Sequence, residues 1–271
     1  MIWRRAALTL ALSVVCAACA APLLKLPSGP GVPAQDASDV IQAATAACRP
    51  LSDISLELTV SGSIAGGRVR GRLLAGVTRR GAVRLEAVAP AGQPVFLLTN
   101  GIGLVQPDAT LLLPRDNRVL ERGRFGAVLE AVTGIPIDAS LLFSVLTACV
   151  PSVDATGNAL GEDWRRVAAG VFDVYVHREK EGSWRLAAML SGPYPGPGWR
   201  AEYAVFQDGL PRSIRLVSAS PGAFDLQLAL SQVELNPSLG DEVFRLQIPA
   251  SAKPITLNEL RASGPLGTNR R

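Results

Sequence analysis

The sequence predicts a mainly β (α+β) domain, a curled antiparallel half-barrel of about 11–12 strands under a lid of three helices. Three observations carry this. Apolar and polar residues alternate through most of the chain after residue 52, so each strand offers one face to a core and one to water. Turn signals built on Gly, Pro and Asn separate these runs at the roughly 8–12-residue spacing of antiparallel connections. Helical spacing of apolar residues occurs in three intervals only. A sheet this long accumulates twist and exposes edges, so it must curl, and helices inside or across its mouth are the economical cover for its apolar face.

The first 18 residues, MIWRRAALTLALSVVCAA, have a basic start at Arg4 and Arg5 and an apolar run from Ala6 to Val15. That run is too short to span a bilayer and reads as an export signal. The small pair Ala17-Ala18 before Cys19 resembles the lipobox of bacterial lipoproteins, with Cys16 where leucine is usual. The resemblance implies cleavage after residue 18 and a diacylglyceryl group on Cys19, and Ala20 in place of aspartate resembles outer-membrane sorting. The alternative is ordinary secretion with cleavage near Ala18 or Ala20. Pro22, Pro27, Pro30 and Pro33 make residues 19–36 a semi-extended tether. The half-barrel domain is expected over 37–260 and a flexible tail over 261–271.

Within the domain, Val40, Ile41, Ala44, Ala47 and Cys48 lie at helical spacing after the candidate caps Asp36 and Ser38, and Pro50 stops that helix. Ile54, Leu56, Leu58, Val60 and Ile64 then alternate with polar residues over 53–64. Further strands are expected at 69–78, 82–88, 95–99, 104–105 and 110–113, with turns at Pro90-Ala91-Gly92 and Asn100-Gly101. Phe125, Val128, Leu129 and Val132 form one helical stripe that Gly134 ends. Asp138 can cap a second helix carrying Leu141, Leu142, Val145, Leu146 and Cys149 before Pro151. Strands resume at 164–168, 172–177, 184–190, 199–206, 211–218, 224–235 and 243–248. The alternation of Phe224, Leu226, Leu228 and Leu230 slips before Val233 and Leu235, which predicts a bulge at Ser231-Gln232.

Composition excludes several chemistries. His177 is the only histidine, so sites needing two or three histidines on zinc cannot form. The three lysines, Lys25, Lys180 and Lys253, lie in no phosphate-loop motif, no GxSxG occurs, and Gly101-Ile102-Gly103 lacks the rest of a dinucleotide fingerprint. Glu162 and Asp163 are adjacent and would face apart on a strand. The net charge of +4 falls to +2 without Arg4 and Arg5, which argues against nucleic acid as a partner. No enzyme activity, metal or cofactor is expected.

Residues 83–93 (VRLEAVAPAGQ), residues 131–140 (AVTGIPIDAS) before an apolar helix, and residues 244–249 (FRLQIP) resemble the outer-membrane lipoprotein receptor LolB and the wider LolA/LolB-like family. The resemblance spans residues 37–250 in architecture and is sharpest at 83–93 and 132–150. It implies an open antiparallel half-barrel with a helical lid, whose greasy concavity holds the acyl chains of lipoproteins in transit. It places Leu141, Leu142, Val145 and Leu146 on a lid helix, residues 244–249 on a closing strand, and Ala91 in the loop where LolB carries a protruding leucine used for delivery to the membrane.

Other features carry two readings each. Cys48 and Cys149, in an oxidising compartment, either form a disulfide tying the first helix to the third or are separately buried thiols. Arg68, Arg70, Arg72, Arg79, Arg80 and Arg84 form a basic cluster with Glu86 the carboxylate near it; residues 68, 70 and 72 share a strand face, as a solvated convex surface or as a patch for anionic phospholipid or lipopolysaccharide. Tyr194 and Trp199 flank a Pro/Gly-rich tip that either dips into headgroups or packs on its own strand. His177 is expected on a polar strand face.

The expectation is a membrane-anchored, periplasm-facing, monomeric outer-membrane lipoprotein that binds acyl chains of lipids or lipoproteins and exchanges them with a periplasmic lipoprotein carrier. The apolar cavity is assigned to Ile54, Leu56, Leu58, Val83, Leu85, Phe125, Leu129, Leu142, Val145, Phe172, Val174, Leu226 and Leu228. The alternatives are an envelope scaffold whose core is filled by its own side chains, and a lipid-sensing regulator.

Overall fold

A computed structural model describes residues 22–89, 92–101, 108–150, 156–192 and 198–265. Strand β1 (Val32–Pro33) precedes helix α1 (Ala37–Ala44) and a single 3₁₀ turn (Ala46–Cys48). A first meander follows: β2 (Asp53–Ile64), β3 (Gly67–Thr78), β4 (Val83–Val88), β5 (Pro94–Asn100), β6 (Ala109–Leu113) and β7 (Arg118–Gly123). Helices α2 (Phe125–Thr133) and α3 (Ala139–Thr147) come next, then a second meander: β8 (Thr156–Ala159), β9 (Trp164–Ala169), β10 (Phe172–Arg178), β11 (Trp184–Ser191), β12 (Trp199–Gln207), β13 (Leu210–Ser218) and β14 (Phe224–Leu235). β15 (Lys253–Pro254) and helix α4 (Leu257–Ser263) close the described chain.

The meanders fuse because β14 pairs antiparallel with β2, giving one 15-stranded sheet in the order β1-β8-β9-β10-β11-β12-β13-β14-β2-β3-β4-β5-β6-β7-β15. Only the β7–β15 pair is parallel. The expected bulge is present: the register of β14 on β2 shifts between Ser231 and Glu234, and Gln232 takes a positive φ of 49°. Leu230 therefore stays in the core and Val233 returns to it.

The α2–α3 hairpin joins β7 to β8, strands next to opposite edges of the sheet, so it crosses the concave face. α2 ends at Gly134, whose left-handed φ of 76° lets its N–H donate to the Glu130 carbonyl. α1 lies over β8–β11, α3 over β3 and β13, and α2 over β5 and β6 and against α4.

Several expectations need correction. Residues 243–248 form no strand; a 3₁₀ turn (Asp241–Phe244) stands at their start. β14 is paired on both sides, so the chain that leaves it meets no free sheet edge. It packs Phe244 down instead, and Val243 accepts a hydrogen bond from Arg84 at 3.1 Å. The edge is found later, at β7. Strand β7 itself, with paired rather than alternating apolar residues, and β8, with none larger than Ala159, carry no period-two signal. Helix α4 makes a fourth helix and runs into the expected tail. The strand expected at 104–105 lies outside the described residues.

Residues 22–34, expected as a free tether, lie against the convex side of the second meander. The Leu24 N–H donates to the Glu202 carboxylate at 3.1 Å, Arg200 donates to the Leu24 carbonyl, and Leu26 packs on Tyr175, Ala188 and Leu190 with Leu160 and Trp164. β1 then pairs with β8. The composition suggested extension; the apolar outer face of β10 and β11 supplies the reason for docking.

Candidate functional site

The concave face is built from every second residue of the strands. On β2 these are Ile54, Leu56 and Leu58; on β4, Val83 and Leu85; on β10, Phe172 and Val174; on β14, Leu226 and Leu228. The hairpin adds Phe125 and Leu129 from α2 and Leu142 and Val145 from α3. The structure brings all thirteen into one apolar cluster, none more than 8% exposed. The same alternation places Leu98, Ile214 and Leu216 there, and α2 adds Val128 and Val132 of its stripe; the sequence reading does not assign these five to the cavity although their periodicity is the same.

The interior has little polarity. Thr45 and Thr147 turn their hydroxyls back onto the Ile41 and Phe143 carbonyls, one turn earlier in their own helices. Asn100 donates to the Gly81 carbonyl at 2.9 Å. Among the described residues the Tyr203 hydroxyl meets only the Met189 sulfur, at 3.7 Å, and burial raises its phenol pKa far above the ordinary value. The packed interior under the helices is a hydrocarbon environment.

The helices are held down unequally. The Cys48 and Cys149 sulfurs are bonded to each other, which fastens the turn after α1 to the segment after α3. Arg79 reinforces the junction, donating to the Leu51 and Cys48 carbonyls with its guanidinium over the Phe143 ring. At the other end of α1, Asp36 does not cap the helix with its side chain but pairs with Arg165 at 2.9 Å. That hydrogen bond, more than the Coulombic attraction, holds the Asp36 carboxyl below its usual pKa. Asp138 likewise stands at the start of α3 without a side-chain cap. No disulfide reaches α2 among the described residues; it rests on β5, β6 and α4.

The remaining candidates are scattered. Arg68 and Arg70 are exposed on the convex face, and Arg72 pairs with Glu57 at 3.6 Å, so Glu57 rather than Glu86 serves this stripe. Glu86 pairs with Arg84. The His177 ring stacks on Trp164, centroids 4.5 Å apart, on the outer face. Asp163 pairs with Arg178. Trp199 packs into the core against Phe172. Cys19, Ala91 and Tyr194 lie outside the described residues.

No family model matches the chain and no curated protein sequence matches it. Among solved structures, a LolA superfamily protein from Nitrosomonas europaea is similar over 78% of this chain and 97% of its own, with a TM-score of 0.50 at 11% identity. The fold is LolA-like. A DUF1329 family protein from Desulfovibrio piger is similar over 79% of this chain and 98% of its own, with a TM-score of 0.48 at 14% identity.

Proposed function

We propose that this chain is a non-enzymatic envelope lipoprotein, LolB-like, that receives acyl chains of lipids or lipoproteins between its concave sheet face and its crossing helices. The observation that carries the reading is the single continuous apolar interior shared by both meanders and by α2 and α3. Burying a twelve-carbon stretch there would contribute about 10 kcal/mol, at about 0.8 kcal/mol per methylene, before ordering costs. Loading requires a helix to lift, and of α1, α2 and α3, which cover the concave face, α2 is the one that no disulfide reaches among the described residues. The reading includes lipidation of Cys19 and attachment to the periplasmic face of the outer membrane, with acyl chains passed on by a periplasmic lipoprotein carrier. Ala91, much smaller than the leucine of LolB at the matching position, makes delivery into the membrane the step on which this chain departs from that receptor.

A second reading, an envelope scaffold, is favoured by the close filling of the interior by its own side chains. Native mass spectrometry and lipid extraction of the exported chain with Cys19→Ser separate the two. The carrier reading expects co-purifying acyl species and uptake of a fluorescent fatty acid. Repeated absence of both leaves the scaffold. LolB-type delivery further predicts that depletion of the protein mislocalises other lipoproteins.

A further inference from the structure

Where β7, the start of α2 and α4 meet, the surface holds a cavity of about 470 Å³. Its apolar part is formed by Leu120, Ala127, Ile255 and Leu257, and three arginines, Arg122, Arg124 and Arg261, line it with one carboxylate, Glu121. All three arginines are exposed, and none has an ion-pair or side-chain hydrogen-bond partner among the described residues. Neighbouring Arg118 differs, being paired with Glu259. Three guanidiniums against one carboxylate leave a formal charge of +2 at the rim. The N-terminus of α2 adds nothing to this, because the Asp138 carboxylate already sits against Gly126 in its first turn. The charge is carried by side chains from two separate stretches of chain, the β7–α2 junction and α4, brought together only by the fold.

We propose that this cavity binds a phosphomonoester headgroup of an amphiphile. Guanidinium forks match the geometry of phosphate oxygens and bond to them with charge assistance. The volume suits a headgroup and its first carbons. The apolar lining has no use for an isolated inorganic ion but accepts the glycerol and proximal methylenes of a lipid. The site abuts α2, whose Phe125 and Leu129 face the interior. A lipid seated here therefore has its headgroup in water-accessible, basic surroundings and its tail beside the one helix that covers the interior without a disulfide. The direction of the tail rests on the acyl-binding reading given above; the headgroup site does not.

The test is calorimetric titration of the exported chain with Cys19→Ser, using monomeric dihexanoyl phosphatidic acid, dihexanoyl phosphatidylcholine and sodium phosphate as probes. Phosphatidic acid is expected to bind more tightly than either of the others. Arg122→Gln with Arg261→Gln should weaken it about tenfold or more, Arg261→Gln alone about threefold, and the charge-matched pair Arg115→Gln with Arg245→Gln, outside the cavity, less than about twofold. Equal affinity for phosphatidylcholine, an undiminished affinity in the Arg122/Arg261 variant, or no binding at all overturns the site. Inorganic phosphate binding as tightly as phosphatidic acid overturns the lipid assignment. Uptake of a fluorescent fatty acid, measured on the same samples, separates the two proposals. Absent uptake with arginine-dependent binding of phosphatidic acid removes the interior as an acyl site and leaves the headgroup site standing, whereas normal uptake with arginine-independent binding does the reverse.

Discussion

The helices over the concave face divide into a stapled side and an unstapled one. α1 and α3 are joined through Cys48 and Cys149, with Arg79 bridging the same junction and Asp36–Arg165 fixing the start of α1. α2 and α4 are held by packing, by the exposed Arg118–Glu259 pair and by the capping box of α4, in which Thr256 and Glu259 satisfy each other's backbone. Both sides bury the same kind of apolar stripe. The difference lies in what happens when that stripe is lifted: on the stapled side the helices return to one place, whereas on the unstapled side the cover can move without breaking a covalent bond.

The comparison breaks most visibly at the disulfide. The bonded cysteines are 101 residues apart, so Cys48→Ser with Cys149→Ser releases a loop whose closure in the unfolded chain amounts to about 4–5 kcal/mol in the chain-entropy account. Urea unfolding should show a fall in midpoint and a steeper slope, because the unlinked unfolded chain exposes more surface, with fatty-acid uptake retained if access is under α2. On the other side, Leu129→Ala removes a buried side chain from the underside of α2 and should cost about 2–5 kcal/mol. Adding a fatty acid should restore part of the lost melting temperature by binding the folded state. Thr256→Ala removes the cap of α4 for about 1 kcal/mol and should speed hydrogen exchange in α4 and in the α2 surface it covers. The smallest effect is at Asp36. Its carboxyl pKa is lowered on folding from 3.8 by the Arg165 hydrogen bond, so its contribution is present above about pH 4 and is lost as the pH falls through the lower folded value. Asp36 is half exposed, so Asp36→Asn should lower stability by less than about 1 kcal/mol at neutral pH, and the gap from the wild type should close in acid.

The unequal legibility of the molecule follows from the same physics. The strand at 53–64 and the stripe of α2 could be read because one face of each is buried and the period reports it. The four arms that meet at the edges could not. β1 and β8 are held by backbone pairing and by the docked segment around Leu26, and β7 and β15 by a parallel pair formed after a long excursion, none of which leaves a side-chain period. Helix α4 did leave a signal, the Thr256-x-x-Glu259 box with Leu257 and Leu260 beside it, at the end of the expected domain, where the sequence reading assigns no element. The interior residues of the site were legible as the apolar face of each strand. The arginine-lined cavity was not, because Arg122, Arg124 and Arg261 come together only when the strand at Lys253–Pro254 returns to β7. Residues 243–248 misled because their alternation is real but no sheet edge was within reach.

The central claim is that the interior takes an acyl chain and that α2 is the cover that moves. Hydrogen exchange of the exported chain with Cys19→Ser, with and without dodecanoic acid, tests it most directly. The account predicts that amides of residues 125–133 exchange faster than those of 139–147 in the free protein and become protected when the fatty acid is added. Equal exchange in the two helices, unchanged by the fatty acid, would contradict it.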